Sequence, residues 1–116
     1  MKVILEPAGG GIITAFAGTG TAGVTGDGGS AVLARFSNPQ GVAVDAAGNV
    51  YIVDAGRVRM VDTNGNVATI AGGGSATGDG GSALNASLGS TVAIGIDGAG
   101  SLYICDISTQ RVRKLP

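Results

Sequence analysis

The chain has 116 residues, a net charge of −1 and 23 glycines, and 44% of its residues are hydrophobic. This near-neutral charge gives no basic surface for a nucleic acid or an anionic membrane, and no apolar run reaches the roughly 18 residues of a spanning helix. The chain lacks histidine and has one cysteine, which excludes the usual zinc sites and histidine-dependent nucleophiles within one chain. We therefore expect no cofactor. The apolar run at residues 3–5 is too short for a signal peptide, so the sequence leaves the compartment open.

The sequence contains two copies of one repeat. The motif Gly-Asp-Gly-Gly-Ser-Ala at residues 26–31 returns at residues 78–83, an offset of 52 residues. A repeat of about 50 residues built from short strands is typical of propellers and solenoids. We divide the single module, residues 1–116, into a first repeat (12–65), a second repeat (66–116) and an extra N-terminal strand or linker (1–11).

Taken in chain order, the elements predict an all-β protein. Period-two alternation of apolar residues, bounded by turns rich in glycine, aspartate and asparagine, indicates strands. A serine at a favourable N-cap position after each glycine-rich loop predicts one or two helical turns at residues 30–36 and 82–88. The predicted strands are residues 41–45, 50–53, 57–61, 67–71, 93–97, 102–105 and 111–115.

Two of these strands have a large apolar face and a small one. Val42 and Val44 point one way in the first copy, and Ile94 and Ile96 take the same positions in the second. The residues between them are small and also apolar. This pattern predicts strands that close neighbours bury on both sides.

Several motifs resemble the NHL-repeat family of β-propellers, in particular bacterial-type repeats with Gly-Asp-Gly-Gly loops. The resemblance rests on Asn-Pro-Gln-Gly-Val-Ala-Val-Asp at residues 38–45, Gly-Asn-Val-Tyr-Ile-Val-Asp at 48–54 and Arg-Val-Arg at 57–59. The second copy departs from the pattern, because Gly-Ser-Thr at residues 89–91 stands where Asn-Pro is expected. The resemblance implies β-propeller blades, which are four-stranded antiparallel meanders around a central channel.

The chain holds enough strands for two blades, but the strands are not grouped into two complete blades. Residues 41–71 supply one full blade, residues 92–115 supply three strands of another, and residues 12–17 resemble the outer strand of a blade. Propellers need roughly four to eight blades to close. We therefore expect closure into a ring by oligomerisation. A homotrimer with six blades is favoured, and a homotetramer with eight is the alternative.

The spare strand indicates how neighbouring chains join. We expect it to cross to the next chain and pair antiparallel with the last strand, so that strand exchange closes two open sheet edges. Residues 3–5 would then form a fifth strand outside it or compete for the same position. The assembly residues are Ile12, Ile13, Thr14, Ala15, Phe16 and Ala17 on one side and Arg111, Val112, Arg113, Lys114 and Leu115 on the other.

Aspartates are the candidate functional residues, and each has a structural alternative. Asp45 and Asp97 end the inner strands, so assembled copies would place a ring of carboxylates at one mouth of the channel. Otherwise, these side chains order the turns that follow them. Asp27 and Asp79 lie in equivalent glycine-rich loops, where they would bind calcium or, in the favoured interpretation, accept hydrogen bonds from nearby backbone amides.

Arginines also recur with the repeat. Residues 57–61 and 111–115 alternate polar with apolar side chains, which predicts comparatively exposed strands. Their arginines would face a ligand or form solvated ion pairs with the aspartates that precede them, and we favour the solvated pairs. The residues concerned are Arg57, Arg59, Arg111 and Arg113, with Asp54 and Asp106 before them.

The sequence supports two hypotheses for function. The first is a non-enzymatic binding or scaffold module, whose partners are copies of itself and a protein or polymer ligand that loops at one mouth would contact. The alternative is a propeller hydrolase or lyase with a carboxylate ring at the channel mouth. We favour the first and expect no enzyme, because the chain has no histidine.

Overall fold

Short strands make up most of the regular secondary structure. The computed structural model describes residues 11–75 and 80–116, so the expectations for residues 3–5 and for Asp79 lie outside the described residues. No helix within this part is long and apolar enough to cross a membrane. The all-β prediction is confirmed. The strands of the described part are β1 (Pro39–Val44), β2 (Val50–Asp54), β3 (Arg57–Val61), β4 (Val67–Gly72), β5 (Thr91–Ile96), β6 (Leu102–Asp106) and β7 (Arg111–Leu115).

The strands form two antiparallel sheets in meander order. The first sheet has the order β1-β2-β3-β4 and is called blade one here; the second has the order β5-β6-β7 and is called blade two. Val42 of β1 lies opposite Ile52 of β2, and their equivalents Ile94 and Ile104 lie opposite each other in blade two. The two blades therefore share one register, as the repeat in the sequence requires.

Both predicted helical turns are present as 3₁₀ helices, Ala31–Leu33 and Ala83–Asn85. Ser30 and Ser82 occupy the N-cap positions, as the sequence predicts, but neither side chain makes a capping hydrogen bond. A single 3₁₀ turn presents few unsatisfied amides. The capping role inferred for the two serines is therefore wrong, although their position is right.

The hairpin between β2 and β3 is a tight one. Its two central residues, Ala55 and Gly56, have φ angles of 50° and 77°. Positive φ at both positions is the mark of a type I′ turn, whose twist matches that of the flanking strands. Glycine and asparagine tolerate this conformation, whereas alanine is strained in it. The longer connection between β6 and β7 places Gln110 at a φ of 57° instead.

Two apolar clusters hold the described residues together. Cluster one packs the first 3₁₀ helix against blade one, and cluster two packs blade one against blade two. The buried members of cluster one are Ala31, Ala34, Phe36, Ile52, Val61 and Val67. Those of cluster two are Val53, Val58 and Ala71 from blade one with Leu88, Leu102 and Ile104 from the second repeat.

One expectation about burial, that for β3, is wrong, and the one for Val42 and Val44 stays a prediction because it needs a further blade. Val42 and Val44 are 63% and 60% exposed, because no described blade covers that side of blade one. β3 is largely buried, because β4 pairs with its outer edge and the loop before the first 3₁₀ helix reaches across it. The related strand β7 is comparatively exposed, as predicted, since the described residues place a strand on one side of it only.

Candidate assembly site

The carboxylate of Asp45, the first channel-mouth candidate, is engaged in a turn. It accepts hydrogen bonds from the backbone amides of Ala47 and Asn49 at 3.0 and 2.9 Å and from the Tyr51 hydroxyl at 2.9 Å. The Asn49 side chain also donates to it at 3.0 Å. This side-chain bond, with the others, holds the pKa of Asp45 below its ordinary value.

Asp97 repeats the arrangement in the second copy. It accepts hydrogen bonds from the amides of Ala99 and Ser101 and from the Tyr103 hydroxyl, the last at 2.9 Å. The Tyr103 bond is the main reason that the pKa of Asp97 is lowered. Hydrogen bonds of this kind favour the turn-ordering interpretation of both aspartates over a catalytic one, because they use the oxygens that a substrate would need.

Two further aspartates, Asp54 and Asp106, are buried at the ends of β2 and β6, the second strands of the two blades. Asp54 accepts hydrogen bonds from the amides of Ser37 and Asn38 at 3.0 and 2.5 Å, so the end of β2 fixes the chain entering β1. Asp106 accepts from the amide and the hydroxyl of Ser108 at 3.0 and 2.7 Å. The expected ion pairs between these aspartates and the following arginines are not seen among residues 11–75 and 80–116. An aspartate directly before a tight connection is the sequence signal that could have indicated this role.

Arg59, in the middle of β3, is fully buried. Its Nη1 donates to the Arg35 carbonyl oxygen at 2.6 Å, and its Nη2 donates to the Thr25 carbonyl oxygen at 2.8 Å. The guanidinium carbon also lies 4.5 Å from the centroid of the Phe36 ring, within range of a cation–π interaction. The solvated pair expected for this arginine is therefore wrong, because a loop folds over β3 and encloses the side chain.

Asp27 completes this cluster. One carboxylate oxygen accepts from Arg59 Nη2 at 2.9 Å, and the other accepts from the Thr69 hydroxyl of β4 at 2.8 Å. Burial acts to raise the pKa of Asp27, but the bonds from Thr69 and Arg59 outweigh it and hold the pKa below the ordinary 3.8. Side chains of two strands supply the main bonds, and the expected backbone amide contributes only as a smaller effect of Thr69 in the same direction. We call Asp27, Arg59 and Thr69 the strand clamp, because they fasten the outer strand β4 and the glycine loop to β3.

The side chains around Asp27 do not form a set of metal ligands. Both oxygens of the Asp27 carboxylate are already engaged within the strand clamp. Across the described part of the chain, no three or more histidine, cysteine, aspartate or glutamate side chains come together where they could hold a metal ion. The calcium interpretation of the first glycine loop therefore has no support in the geometry.

The contact between the two blades shows how one blade covers the next. Ile94 and Ile96 of β5 pack against cluster two, whose blade-one members include Val53 and Val58. We call the face of a blade that carries Ile94 and Ile96, or their equivalents, its front face. The opposite face is its back face. Blade two thus lays its front face on the back face of blade one.

One front face is left open. On blade one the front-face positions belong to Val42 and Val44, which are exposed, whereas their equivalents in blade two pack against the neighbouring blade. Ile52 and Phe36 lie beneath the same face, in cluster one. Two large apolar side chains of β1 therefore point into solvent, on the face by which blade two docks within the chain.

One back face is also open. Val112 of β7 is exposed, whereas the equivalent Val58 of β3 is buried at the contact between the blades. Cys105 of β6 is partly buried and stands where Val53 is buried in blade one. Within the described part of the chain, one front face and one back face are therefore open. They are built from residues equivalent to those that form the contact between the two blades.

The edge of blade two is open as well. β7 has no outer strand neighbour among the described residues, whereas β4 fills that place in blade one. A groove of about 500 Å³ lies beside β7. Its walls include Ala83, Ala86 and Leu88 from the second 3₁₀ region and Val112, Arg113, Lys114 and Leu115 from β7.

The spare outer strand, residues 12–17, is called the arm below; it forms no strand within the chain. Ile12 and Ile13 are 87% and 99% exposed, and Phe16 is also exposed. Ala17, at the end of the arm, packs against cluster one. Pairing of the arm with the last strand of another chain thus stays a prediction, because it needs a second copy.

The repeat, the meander sheets and the packing of one blade on the next define a piece of an NHL-repeat β-propeller. The sequence model of the Teneurin NHL domain matches residues 15–77, which is more than half of the chain. The chain belongs to this family. The resemblance inferred from the motifs is thereby confirmed.

Similar proteins are much longer than this chain. Teneurin-4 of Mus musculus is 47% identical over 47 residues, which cover 40% of this chain and 2% of Teneurin-4. Teneurin-1 of Caenorhabditis elegans is 40% identical over 45 residues, which cover 39% of this chain and 2% of that protein. A crystal structure of a structural genomics protein of unknown function from Bacteroides thetaiotaomicron VPI-5482 matches with a TM-score of 0.75 and 31% identity. That match covers 91% of this chain and 28% of the other.

Proposed function

We propose that this chain is a non-enzymatic propeller module that completes a ring with copies of itself and presents the loops at one mouth to a protein or polymer ligand. The observation that carries the proposal is the open front face of blade one. Val42 and Val44 stand there in the positions of Ile94 and Ile96, which dock on a blade within the chain. The back face of blade two in a second copy is built from residues equivalent to those on which Ile94 and Ile96 dock.

Side-chain sizes on the two open faces are compatible. Within the chain, the blades approach so closely that a Cβ on Gly41 would lie 3.3 Å from the Ala93 Cα. Between copies, Ala93 takes the position of Gly41 and adds a methyl group there. The nearest side chain to that methyl group in blade one is Val53, and the smaller Cys105 takes its place beside Ala93. Swaps that conserve total volume are the ones that packed cores tolerate best.

The proposed contact joins a front face to a back face, so it is heterologous. Such contacts form closed rings where the rotation closes and filaments where it does not. Three chains would give six blades and four would give eight, both within the usual range of propellers. We favour the trimer. Where this segment lies within a longer chain, adjacent blades of that chain would cover the same faces.

No reaction is assigned to the channel mouth. Asp45 and Asp97 engage their carboxylate oxygens with turn amides and tyrosine hydroxyls. Their lowered pKa keeps them ionised at neutral pH, which suits them poorly for donating a proton. The hydrolase or lyase alternative gains no observation from the described residues.

The proposal is tested first by the mass of the native particle. Light scattering on the purified chain at tens of micromolar should give a particle three times the 11.1 kDa chain mass. A folded chain that stays at the mass of one copy under these conditions would overturn self-assembly.

A matched pair of variants tests the face. Val44→Asp should dissociate the particle, because it puts a charge into the front face. Val32→Asp is the control, since Val32 is exposed and its equivalent, Leu84, remains exposed although blade two is already docked. Equal particle masses for the two variants would show that the front face is not the contact.

A further inference from the structure

We propose that the arm of one copy is the outer strand of blade two in the neighbouring copy, in the register that β4 shows in blade one. The inference rests on the ring of copies proposed above and adds the contact that closes its sheet edges. The partner is a second copy of this chain, and the site is the groove beside β7.

Blade one shows how an outer strand docks. β4 pairs antiparallel with β3, with Ala71 opposite Val58. On its other side, the Gly28 amide donates to the Val67 carbonyl oxygen at 2.7 Å, and the Val67 amide donates to the Gly29 carbonyl oxygen at 2.9 Å. The outer strand thus lies in a slot between the third strand of the blade and the glycine loop.

Blade two has the same slot, and no described residue fills it. β7 repeats the Arg-Val-Arg sequence of β3 and supplies Val112 and Leu115 to one wall of the groove. The second glycine loop supplies Gly80, Gly81 and Ser82 to the other wall. A strand edge that has no outer neighbour among the described residues, beside an apolar groove, is a template for one further strand.

The end of the arm resembles the end of β4 in its packing and in its backbone conformation. Ala17 packs on cluster one, against the front side of blade one, as Ala71 of β4 packs on cluster two, against blade two. The next residues, Gly18 and Gly72, have φ angles of 93° and 84°, so the chain leaves both segments by the same left-handed conformation. β4 shows that a segment in this position is the outer strand of the preceding blade. Once blade two of a second copy docks on the front face of blade one, the arm therefore lies along β7 of that copy.

The register follows from the pairing of β3 with β4. Transfer of that pairing places Ala17 opposite Val112 and Ile13 opposite Leu115 of the neighbouring copy. Ile13 then takes the position of Val67, which is buried in blade one, whereas Ile12 takes the position of Asn66, which is exposed. Of two adjacent isoleucines, only Ile13 should become buried on assembly.

This difference gives a matched test. Ile12 and Ile13 are both almost fully exposed in the single chain, so an aspartate at either place leaves the fold of one copy intact. Ile13→Asp should weaken assembly on the order of 10- to 100-fold, the loss expected when one large apolar side chain is no longer buried. Ile12→Asp should change it by less than about threefold, since surface substitutions are usually near neutral.

The measurement is the midpoint of dissociation on dilution, followed by light scattering, with hydrogen exchange of the arm amides as a second readout. Protection of the amides of residues 13–17 on assembly supports the exchange. If the native chain assembles and the two variants dissociate at equal concentrations, the arm is not the outer strand, while the front-face contact stands. Loss of assembly in Val44→Asp with no effect of Ile13→Asp leads to the same conclusion. A native chain that never assembles overturns both proposals.

Discussion

Replacing Arg59 by methionine tests whether the strand clamp holds blade one together. Methionine keeps most of the length of the side chain and removes its charge. The change deletes the hydrogen bonds to the carbonyl oxygens of Arg35 and Thr25, the ion pair with Asp27 and the contact with the Phe36 ring. The two carbonyl groups keep only the long backbone bonds of 3.3 and 3.4 Å that link residues 25 and 35.

The expected cost follows from these partners. A hydrogen bond to a charged group contributes about 1.5–3 kcal/mol, so the two bonds to carbonyl oxygens alone are worth roughly 3–6 kcal/mol. The ion pair adds little, because the Asp27 side chain is 48% exposed and water replaces its partner. Packing of the methionine side chain recovers part of the loss. We expect the free energy of unfolding to fall by about 3 kcal/mol, a large share of the ~5–15 kcal/mol typical of a domain.

The assay is urea unfolding followed by far-ultraviolet circular dichroism, with all variants at one protein concentration. Arg111→Met is the control, because Arg111 is an exposed arginine on the related strand β7 and its loss should cost less than about 0.5 kcal/mol. The slope of the free energy against urea should stay unchanged, so that the midpoints report stability. Equal midpoints for the two variants would mean that the buried guanidinium is not what fastens β4 and the glycine loop.

Three further outcomes follow from the geometry. The pKa of Asp27 is lowered in the folded chain, so its contribution to stability is present above the unfolded value of 3.8 and is lost as the pH falls through the lower folded value. The free energy of unfolding measured at about pH 5 and pH 2 should show this loss, and the Asp27→Asn variant should lose less stability between these two pH values. Gly72→Ala should destabilise more than Gly65→Ala; both glycines have a φ of 84°, but only at Gly72 would a Cβ overlap a neighbour, the Gly56 carbonyl oxygen. Ala55→Asn should raise the free energy of unfolding by up to about 1 kcal/mol, measured by urea unfolding, because asparagine tolerates the positive φ there.

The strands could be predicted from the sequence because the repeat presents most of them twice. Six of the seven strands occur as equivalent pairs, and only β4 lacks a described partner copy. A strand such as β2 is set by local alternation and by the turns at its ends. The NHL motifs add the order of the strands within a blade. These are local signals, and the strand bounds they predict agree with the structure to within about two residues, the usual uncertainty at the ends of such elements.

The burial of Arg59 could not be predicted in the same way. Its exposure depends on a loop that begins more than 30 residues earlier and supplies the carbonyl group of Thr25 and the carboxylate of Asp27. Nothing in the local alternation of β3 signals that contact. The exposure of Val42 has a similar cause, because the same apolar pattern is partly buried in blade two and exposed in blade one. Whether such a face is covered depends on the next blade, which the strand's own residues do not specify.

The two kinds of contact in the proposed ring differ in strength, which explains why an arm is useful. Each contact within a chain uses Ile94 and Ile96, and each contact between chains uses Val42 and Val44. One methylene group per residue is worth about 0.8 kcal/mol, so the contact between chains is weaker by roughly 1.5 kcal/mol before the entropy of association is counted. The pair of blades should therefore form first and stay together, and assembly should respond to concentration. Burial of Ile13 from the arm contributes about 1.5–3 kcal/mol per contact, which offsets the deficit of the valines. The strand exchange is thus the element that would bring the weaker contacts to the strength of the contact already built into the chain.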